Sequence, residues 1–163
     1  TEKIERQCRM FEYGPRATGC SVLMADAVKM LREGHVITLD EARRIAAPYS
    51  ADIVEYLELA NTHEGIDKIK VDDPDTVWMV RKSISAALWA LWNFDSFEEG
   101  LVATVALGGD GDTNAAIAGF LLGLRDGLDA IPARLIDGLK DHDELLAKYD
   151  RFADLIIKRL ENE

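Results

Sequence analysis

Between Thr76 and Trp92 the apolar residues fall at three- and four-residue intervals. Val77, Val80, Ile84, Leu88 and Leu91 form one stripe, which Trp78, Ala87 and Trp92 widen. That is the period of an α-helix with a broad apolar face, so the spacing predicts a core helix over 76–92, with Trp78 and Trp92 packed in the interior and Trp89 open to either side. Elsewhere the same period recurs in shorter runs. Val22, Leu23, Ala27, Val28 and Leu31 predict a helix that Gly34 stops. Thr38 with Glu41 reads as a capping box opening a helix to about Ala47, which Pro48 breaks. Ala51–Ala60 is helical through Ile53, Val54, Leu57 and Leu59. The charge-rich stretch from His63 to Asp75 offers turn residues in place of a long periodic run.

After the core helix, Ser96 with Glu99 forms a second capping box, and the apolar run that follows ends at Gly108 and Gly109. A helix is expected from Asp112 or Thr113 to about Arg125, ended by Gly127. Along it Ala115, Gly119 and Gly123 stand four apart on one face. Two glycines inside a helix cost about 1 kcal/mol each relative to alanine, so close packing is the reason to keep them there. Pro132 suits the first turn of a further helix, and Tyr149–Leu160 is a terminal one. No alternating strand pattern exceeds a few residues. The fold class expected is all-α, a compact multi-helix bundle.

A chain of 163 residues with 48% apolar and 30% charged composition is long enough for one helical domain with its own core. Cys8 and Cys20 have no CxxC spacing and no base beside them, which fits two free thiols in a reducing compartment. Nineteen basic against thirty acidic residues leave a net charge of -11, which argues against nucleic acid and anionic membranes as partners. A small diphosphate is not excluded, because a metal or a helix N-terminus holds one. No apolar run reaches the roughly 18 to 20 residues of a membrane helix, and no signal peptide opens the chain, so a cytoplasmic location is expected.

The chemistry-bearing feature is GGDGDTNAAIAG, Gly108–Gly119. Its two leading glycines permit a tight entry into a helix N-terminus. Asp110, Asp112 and Thr113 then bring three hard oxygen donors within four residues, a set suited to Mg²⁺ or Ca²⁺ and not to zinc. The alternative is that Asp112 is an N-cap and Asp110 a solvated turn residue. The segment also imitates the start of an EF-hand loop, but Ala115 stands where that loop needs glycine and Leu121 where it needs glutamate.

LGGDGDTNAAIAGFLLGLRDGLDAIP, Leu107–Pro132, resembles the C-terminal signature of the ADP-ribosylglycohydrolase family, the relatives of dinitrogenase reductase-activating glycohydrolase. SISAALWALWNFDSFEEGLVATVA, Ser83–Ala106, is similar to the helix pair that precedes it, and EYGPRATG, Glu12–Gly19, to a mid-protein segment. The resemblance implies an all-α, metal-dependent hydrolase that cleaves an N- or O-glycosidic ADP-ribosyl linkage at a binuclear Mg²⁺ or Mn²⁺ site. Its substrate would be an ADP-ribosylated protein or a small ADP-ribose conjugate. Carried onto this sequence, Asp110, Asp112 and Thr113 are the expected metal ligands and Asp110 and Asp112 the catalytic carboxylates. Gly108, Gly109, Gly111 and Asn114 are expected to line the cofactor or substrate. The family's N-terminal Gly-Asp and Thr-Asp-Asp motifs have no counterpart in matching places. Asp72 and Asp73 in VDDPDT, Val71–Thr76, lack the preceding threonine and read as a solvated turn.

The resemblance therefore implies the C-terminal, metal-binding part of a larger helical domain, and the start at Thr1 fits a fragment whose missing half, or a second copy, covers its apolar face. On its own such a chain would bind a divalent ion weakly. The alternative function is a non-catalytic homologue acting as a binding or structural module. Of the remaining candidates, His63 is expected at a helix end or surface, His35 and His142 in solvent, and Arg43 and Arg44 in surface pairs.

Overall fold

The computed structural model describes residues 1–11 and 14–161, so the first two residues of the Glu12–Gly19 segment lie outside the described residues. The chain divides into two units, Thr1–Ala130 and the residues from Ile131 onward. Among the described residues every regular element is helical. Among the described residues no helix is long and apolar enough to cross a membrane.

The first unit runs α1 (Glu2–Phe11), α2 (Pro15–Arg32), α3 (Leu39–Ala46), α4 (Ala51–Ala60) and α5 (Ile66–Ile69), the last entered through a 3₁₀ turn at His63–Gly65. It continues with α6 (Val80–Asn93), α7 (Phe97–Ala106) and α8 (Gly111–Asp126). Local chemistry sets most of these bounds. Pro15 occupies the first turn of α2, where its missing N–H costs nothing, and Gly34, at φ +79°, lets the chain reverse just after the helix. The Thr38–Glu41 capping box is complete: the Glu41 amide donates to the Thr38 hydroxyl at 3.3 Å, and the Thr38 amide donates to the Glu41 carboxylate at 2.9 Å. Ser96 caps α7 by accepting from the Glu99 amide at 3.3 Å. The α1 helix has no counterpart among the elements read from the sequence; its run of charged residues masks the short apolar repeat through Ile4 and Cys8.

The core is built round α6, where every residue from Lys82 to Leu91 is buried. Ala86, Ala87 and Ala90 keep that helix slim on several sides, so α2, α4, α7 and α8 all pack on it. Leu23, Ile53, Leu57, Leu88, Leu121 and Leu122 fill the space between, each worth about 1.5 to 3 kcal/mol when fully buried. The α7 and α8 helices approach closely at glycine: a Cβ on Gly100 would lie 2.9 Å from the Leu122 side chain, and one on Gly119 would lie 3.4 Å from that of Leu101. The expected small-residue face of α8 thus serves packing against α7. Arg125 ties the end of α8 to α6 by donating to the carbonyls of Leu91 and Phe94 at 3.0 and 2.6 Å, which satisfies acceptors that α6 leaves open at its C-terminus.

Two expectations for the core helix are corrected. It starts at Val80, not Thr76, and Trp78 is 72% exposed, while Trp89 is buried and Trp92 half-buried. The residues before it are held in turns: Asp73 accepts from the Asp75 amide at 3.0 Å and from the Thr76 hydroxyl at 2.9 Å, and Met79 is extended. These local bonds compete with the helix and win, so the first turn of the apolar stripe never winds on to it. The two inner indoles instead donate to connecting backbone, Trp89 to the His63 carbonyl at 3.0 Å and Trp92 to the Ile37 carbonyl at 2.7 Å.

The second unit holds α9 (Ala133–Asp137), preceded by Pro132, and α10 (His142–Leu160). The α10 helix begins seven residues before the Tyr149 start read from periodicity, because His142, Asp143 and Glu144 add a polar first turn that carries no apolar signal. No residue of α10 is buried, and Tyr149, Phe152, Leu155 and Leu160 are each more than 60% exposed.

Candidate functional site

The turn between α7 and α8 starts from a helix end. The α7 helix closes at Leu107, and Gly108 and Gly109 then adopt φ +71° and +65°, a left-handed pair that side-chain-bearing residues enter at a cost of about 1 to 2 kcal/mol each. The turn does not stand free. A Cβ on Gly109 would lie 2.5 Å from the Val71 carbonyl oxygen and 2.9 Å from the Asp72 Cα, and one on Gly108 would lie 3.7 Å from the Asp72 Cβ. The backbone of the Val71–Thr76 strap therefore lies directly against the glycine pair.

Asp110 is the N-cap residue of α8, at φ -79° and ψ 59°, yet its side chain makes no capping bond. Asp112 does not cap the helix either: its Oδ1 accepts from the adjacent Thr113 amide at 3.0 Å. Asp110 is thus free of a capping bond, while Asp112 satisfies one of the first-turn amides of α8, part of the role the alternative reading gave it. Asp112 is held below the usual carboxylate range by the Thr113 N–H, then by a hydrogen bond with the Asp110 carboxyl group, and then by its own backbone N–H. Asp110 and Asp112 thus both stand at the positive end of a 16-residue helix. Asp112 and Thr113 are exposed and Asp110 half-buried.

Of the glycines expected to line a ligand, Gly108 and Gly109 are exposed and Gly111 is half-buried. Asn114 differs. It is fully buried, and neither its amide nitrogen nor its carbonyl oxygen has a hydrogen-bond partner in the protein. An apolar groove of about 330 Å³ runs between α2, α6 and α8, lined by Cys20, Met24, Val80, Ile84 and Ile117. Ile117 stands four residues beyond Thr113 on α8, so the groove and the acidic turn share one helix. Its lining suits apolar surface and offers no cation for a diphosphate.

The donor set fits a hard divalent cation. Two carboxylates, one of them biased to the anion, and a hydroxyl are oxygen donors, and no histidine or cysteine stands among them. Among the described residues, however, no three His, Cys, Asp or Glu side chains converge into a metal-sized group. Asp72 and Asp73 do not complete the set. Asp72 touches the glycine pair through its backbone and Cβ, and Asp73 turns its carboxylate to Thr76 and the Asp75 amide.

Comparison with known proteins identifies the family. A profile of the ADP-ribosylglycohydrolase family matches residues 1–162. The chain belongs to the ADP-ribosylglycohydrolase family. Among curated relatives, an uncharacterized protein of Archaeoglobus fulgidus is 31% identical over 152 residues, covering 86% of this chain and 47% of its own length. The ADP-ribosylarginine hydrolase Tri1 of Serratia proteamaculans is 27% identical over 111 residues, covering 68% of this chain and 30% of its own. The chain thus spans less than half the length of the curated ADP-ribosylglycohydrolase relatives it matches. No solved structure gives a significant match.

Of the other candidates, His63, Arg43 and the two cysteines fall where the sequence put them, whereas His35 and His142 are bonded to carboxylates and Arg44 donates to the Asp40 carbonyl in place of a charge pair. His63 is exposed at the 3₁₀ turn, its ring 5.7 Å from Trp89 and 5.3 Å from Phe94. His35 pairs with Glu41 at 2.9 Å and His142 with Asp143 at 2.9 Å. Arg43 bridges Asp40 and Glu58, both at 3.0 Å. Cys8 and Cys20 are free thiols. Sequence reasoning missed the strap against Gly109 and Lys82 beneath it, because contacts between side chain and distant backbone leave no mark in local spacing.

Proposed function

We propose that this chain supplies one side of a Mg²⁺ or Mn²⁺ site, through Asp110, Asp112 and Thr113, in a hydrolase that cleaves an ADP-ribosyl linkage, and that it forms part of a larger helical domain. The observation that carries the reading is the placing of two carboxyl groups and a hydroxyl, Asp110, Asp112 and Thr113, at the start of α8, with Asp110 making no capping bond and Asp112 and Thr113 exposed. Two carboxylates at one helix start repel when both are ionised, and a divalent cation held by both removes that repulsion. Membership of the family supports the reaction class. The similarity to the Serratia ADP-ribosylarginine hydrolase makes an arginine-linked conjugate the first substrate to test.

The residues divide the work. Asp112, kept ionised by the Thr113 N–H, is suited to remain an anion throughout, a ligand and not a proton shuttle. Gly108, Gly109 and Gly111 leave room for a ribose or phosphate to approach the backbone, and the N–H groups at the start of α8 favour negative charge there. Asn114 is buried in the first turn of α8 with both side-chain polar atoms unpartnered within the protein, so its amide is available to a ligand group that reaches this turn. When bound, a divalent cation in such a site orients hydroxyl oxygens and stabilises charge as a glycosidic bond opens.

The test is Mn²⁺ titration of the chain, followed by electron paramagnetic resonance, beside Asp112→Asn. Weak saturable binding is expected in the parent chain, reduced about tenfold or more in the variant, in line with the cost of disturbing metal-site ligation. Equal affinities in the two proteins, or no binding in either, would reject the ligand assignment and leave a non-catalytic helical module as the reading. ADP-ribose release from an arginine-linked peptide then tests the reaction in a full-length protein of this family carrying the same turn.

A further inference from the structure

Lys82 lies in the first turn of α6 and is only 2% exposed, although it is a lysine. Burial of an ammonium is costly unless its protons are bonded, and here they are. The Lys82 Nζ donates to the Lys70 carbonyl oxygen and to the Thr76 hydroxyl, the latter at 2.6 Å. Thr76 passes its own proton to Asp73 Oδ2 at 2.9 Å, and Asp73 Oδ1 takes the Asp75 amide at 3.0 Å. One ammonium thus ties down both ends of the strap that runs from Lys70 to Thr76. Lys70 sits at φ +51°, an uncommon conformation for a side-chain-bearing residue that aims its carbonyl at the bond.

The middle of that strap is Val71 and Asp72, whose backbone lies against Gly109. Val71 is 3% exposed, so its side chain anchors the strap to the core while its carbonyl borders the glycine turn. The order of contacts is therefore Lys82 to strap, strap to Gly108–Gly109, and glycine turn to Asp110 and Asp112. Nothing in this sequence of contacts uses a substrate or a metal, and no other role is assigned to Lys82 by the proposed chemistry.

We propose that Lys82 is a positioning residue for the acidic turn: through its bonds to Lys70 and Thr76 it clamps the Val71–Asp72 backbone against Gly108–Gly109 and so sets where Asp110 and Asp112 stand. The proposal deepens the metal-site reading and rests on it for its consequence, not for the clamp itself. A rigid turn brings two carboxylates to a cation already spaced, whereas a loose one has to be ordered on binding.

The experiment compares the full 163-residue chain with Lys82→Met, which keeps the length of the side chain and removes its donors. Two readouts are taken. Backbone ¹⁵N relaxation reports the order of the Gly108, Gly109 and Gly111 amides, and Mn²⁺ titration reports the affinity of the turn. In Lys82→Met the glycine order parameters are expected to fall from the rigid range of about 0.85 to below about 0.6. Mn²⁺ affinity is expected to fall about tenfold or more, the usual cost of losing an outer support of a metal site. A core control, Leu88→Ala on the same helix, lowers the melting temperature but leaves both readouts at parent values, which separates positioning from loss of stability. Thr76→Val removes only the hydroxyl and serves if Lys82→Met does not fold; the same glycines are expected to loosen. Unchanged glycine order in the folded variants overturns the clamp. Loss of order without any Mn²⁺ binding in the parent chain upholds the clamp and rejects the metal-site reading instead.

Discussion

Replacing Gly109 by alanine tests the strap-and-turn geometry on stability alone. Two costs add at this position. The residue sits at φ +65°, where an L side chain costs about 1 to 2 kcal/mol, partly offset by about 0.4 to 1 kcal/mol from the stiffer unfolded chain. Its Cβ would also lie 2.5 Å from the Val71 carbonyl oxygen and 2.9 Å from the Asp72 Cα, too close for any real contact. Those neighbours are backbone that Lys82 holds through Lys70 and Thr76, so they cannot swing aside as a side-chain tip would. Overpacking of this kind costs about 1 to 3 kcal/mol.

Gly108 supplies the control. Its φ of +71° carries the same conformational cost, but the nearest atom to its Cβ is 3.7 Å away, an ordinary contact. Gly108→Ala should therefore destabilise by about 1 kcal/mol and Gly109→Ala by about 2 to 4 kcal/mol, the difference being the clash. Urea unfolding followed by tryptophan fluorescence reads this cleanly, because Trp78, Trp89 and Trp92 all lie in the first unit, as the turn does. Equal losses in the two variants would show that the strap does not press on Gly109, and with it the clamp would lose its second link.

Three further outcomes follow from local chemistry. Thr38→Ala, which breaks the capping box of α3, should cost about 1 kcal/mol in urea unfolding, and no measurable loss would show that the box does not hold that helix. Glu41 in the same box is drawn down to about 2, first by the Thr38 backbone N–H and then by His35 and the Thr38 hydroxyl. Because the folded value is below the unfolded one, its contribution is present above the ordinary carboxylate range and lost as pH falls toward 2. The gap in melting temperature between the parent and Glu41→Gln should therefore close over that window, and a gap independent of pH would contradict the assignment. Cys20 is 2% exposed and its thiol is pushed up to about 12 by burial, with Arg81 opposing weakly. At pH 8 iodoacetamide should modify Cys8 first and leave Cys20 intact until urea opens the fold, as mass spectrometry of the tryptic peptides would show. Equal labelling of the two would mean that α2 is not packed as described.

How much of this protein could be read from its sequence depended on the range of the interaction involved. Thr38 with Glu41, Ser96 with Glu99, Gly34, Gly127 and the apolar stripe after Val80 act within a few residues, and helices α3, α4, α7 and α8 lie close to where those signals put them. The family signature was legible for the same reason, since its glycines and acids are contiguous from Gly108 to Gly119. Trp78 shows where period misleads: its spacing continues the stripe, but Asp73 and Thr76 spend their hydrogen bonds on a turn and leave the indole outside. The sequence by itself determined an all-helical chain with an acidic, glycine-led helix start. Only the tertiary structure decided what supports that start, because Lys82, Val71 and Gly109 meet through packing round α6, and chain separation hides from local spacing any contact made by a folded core.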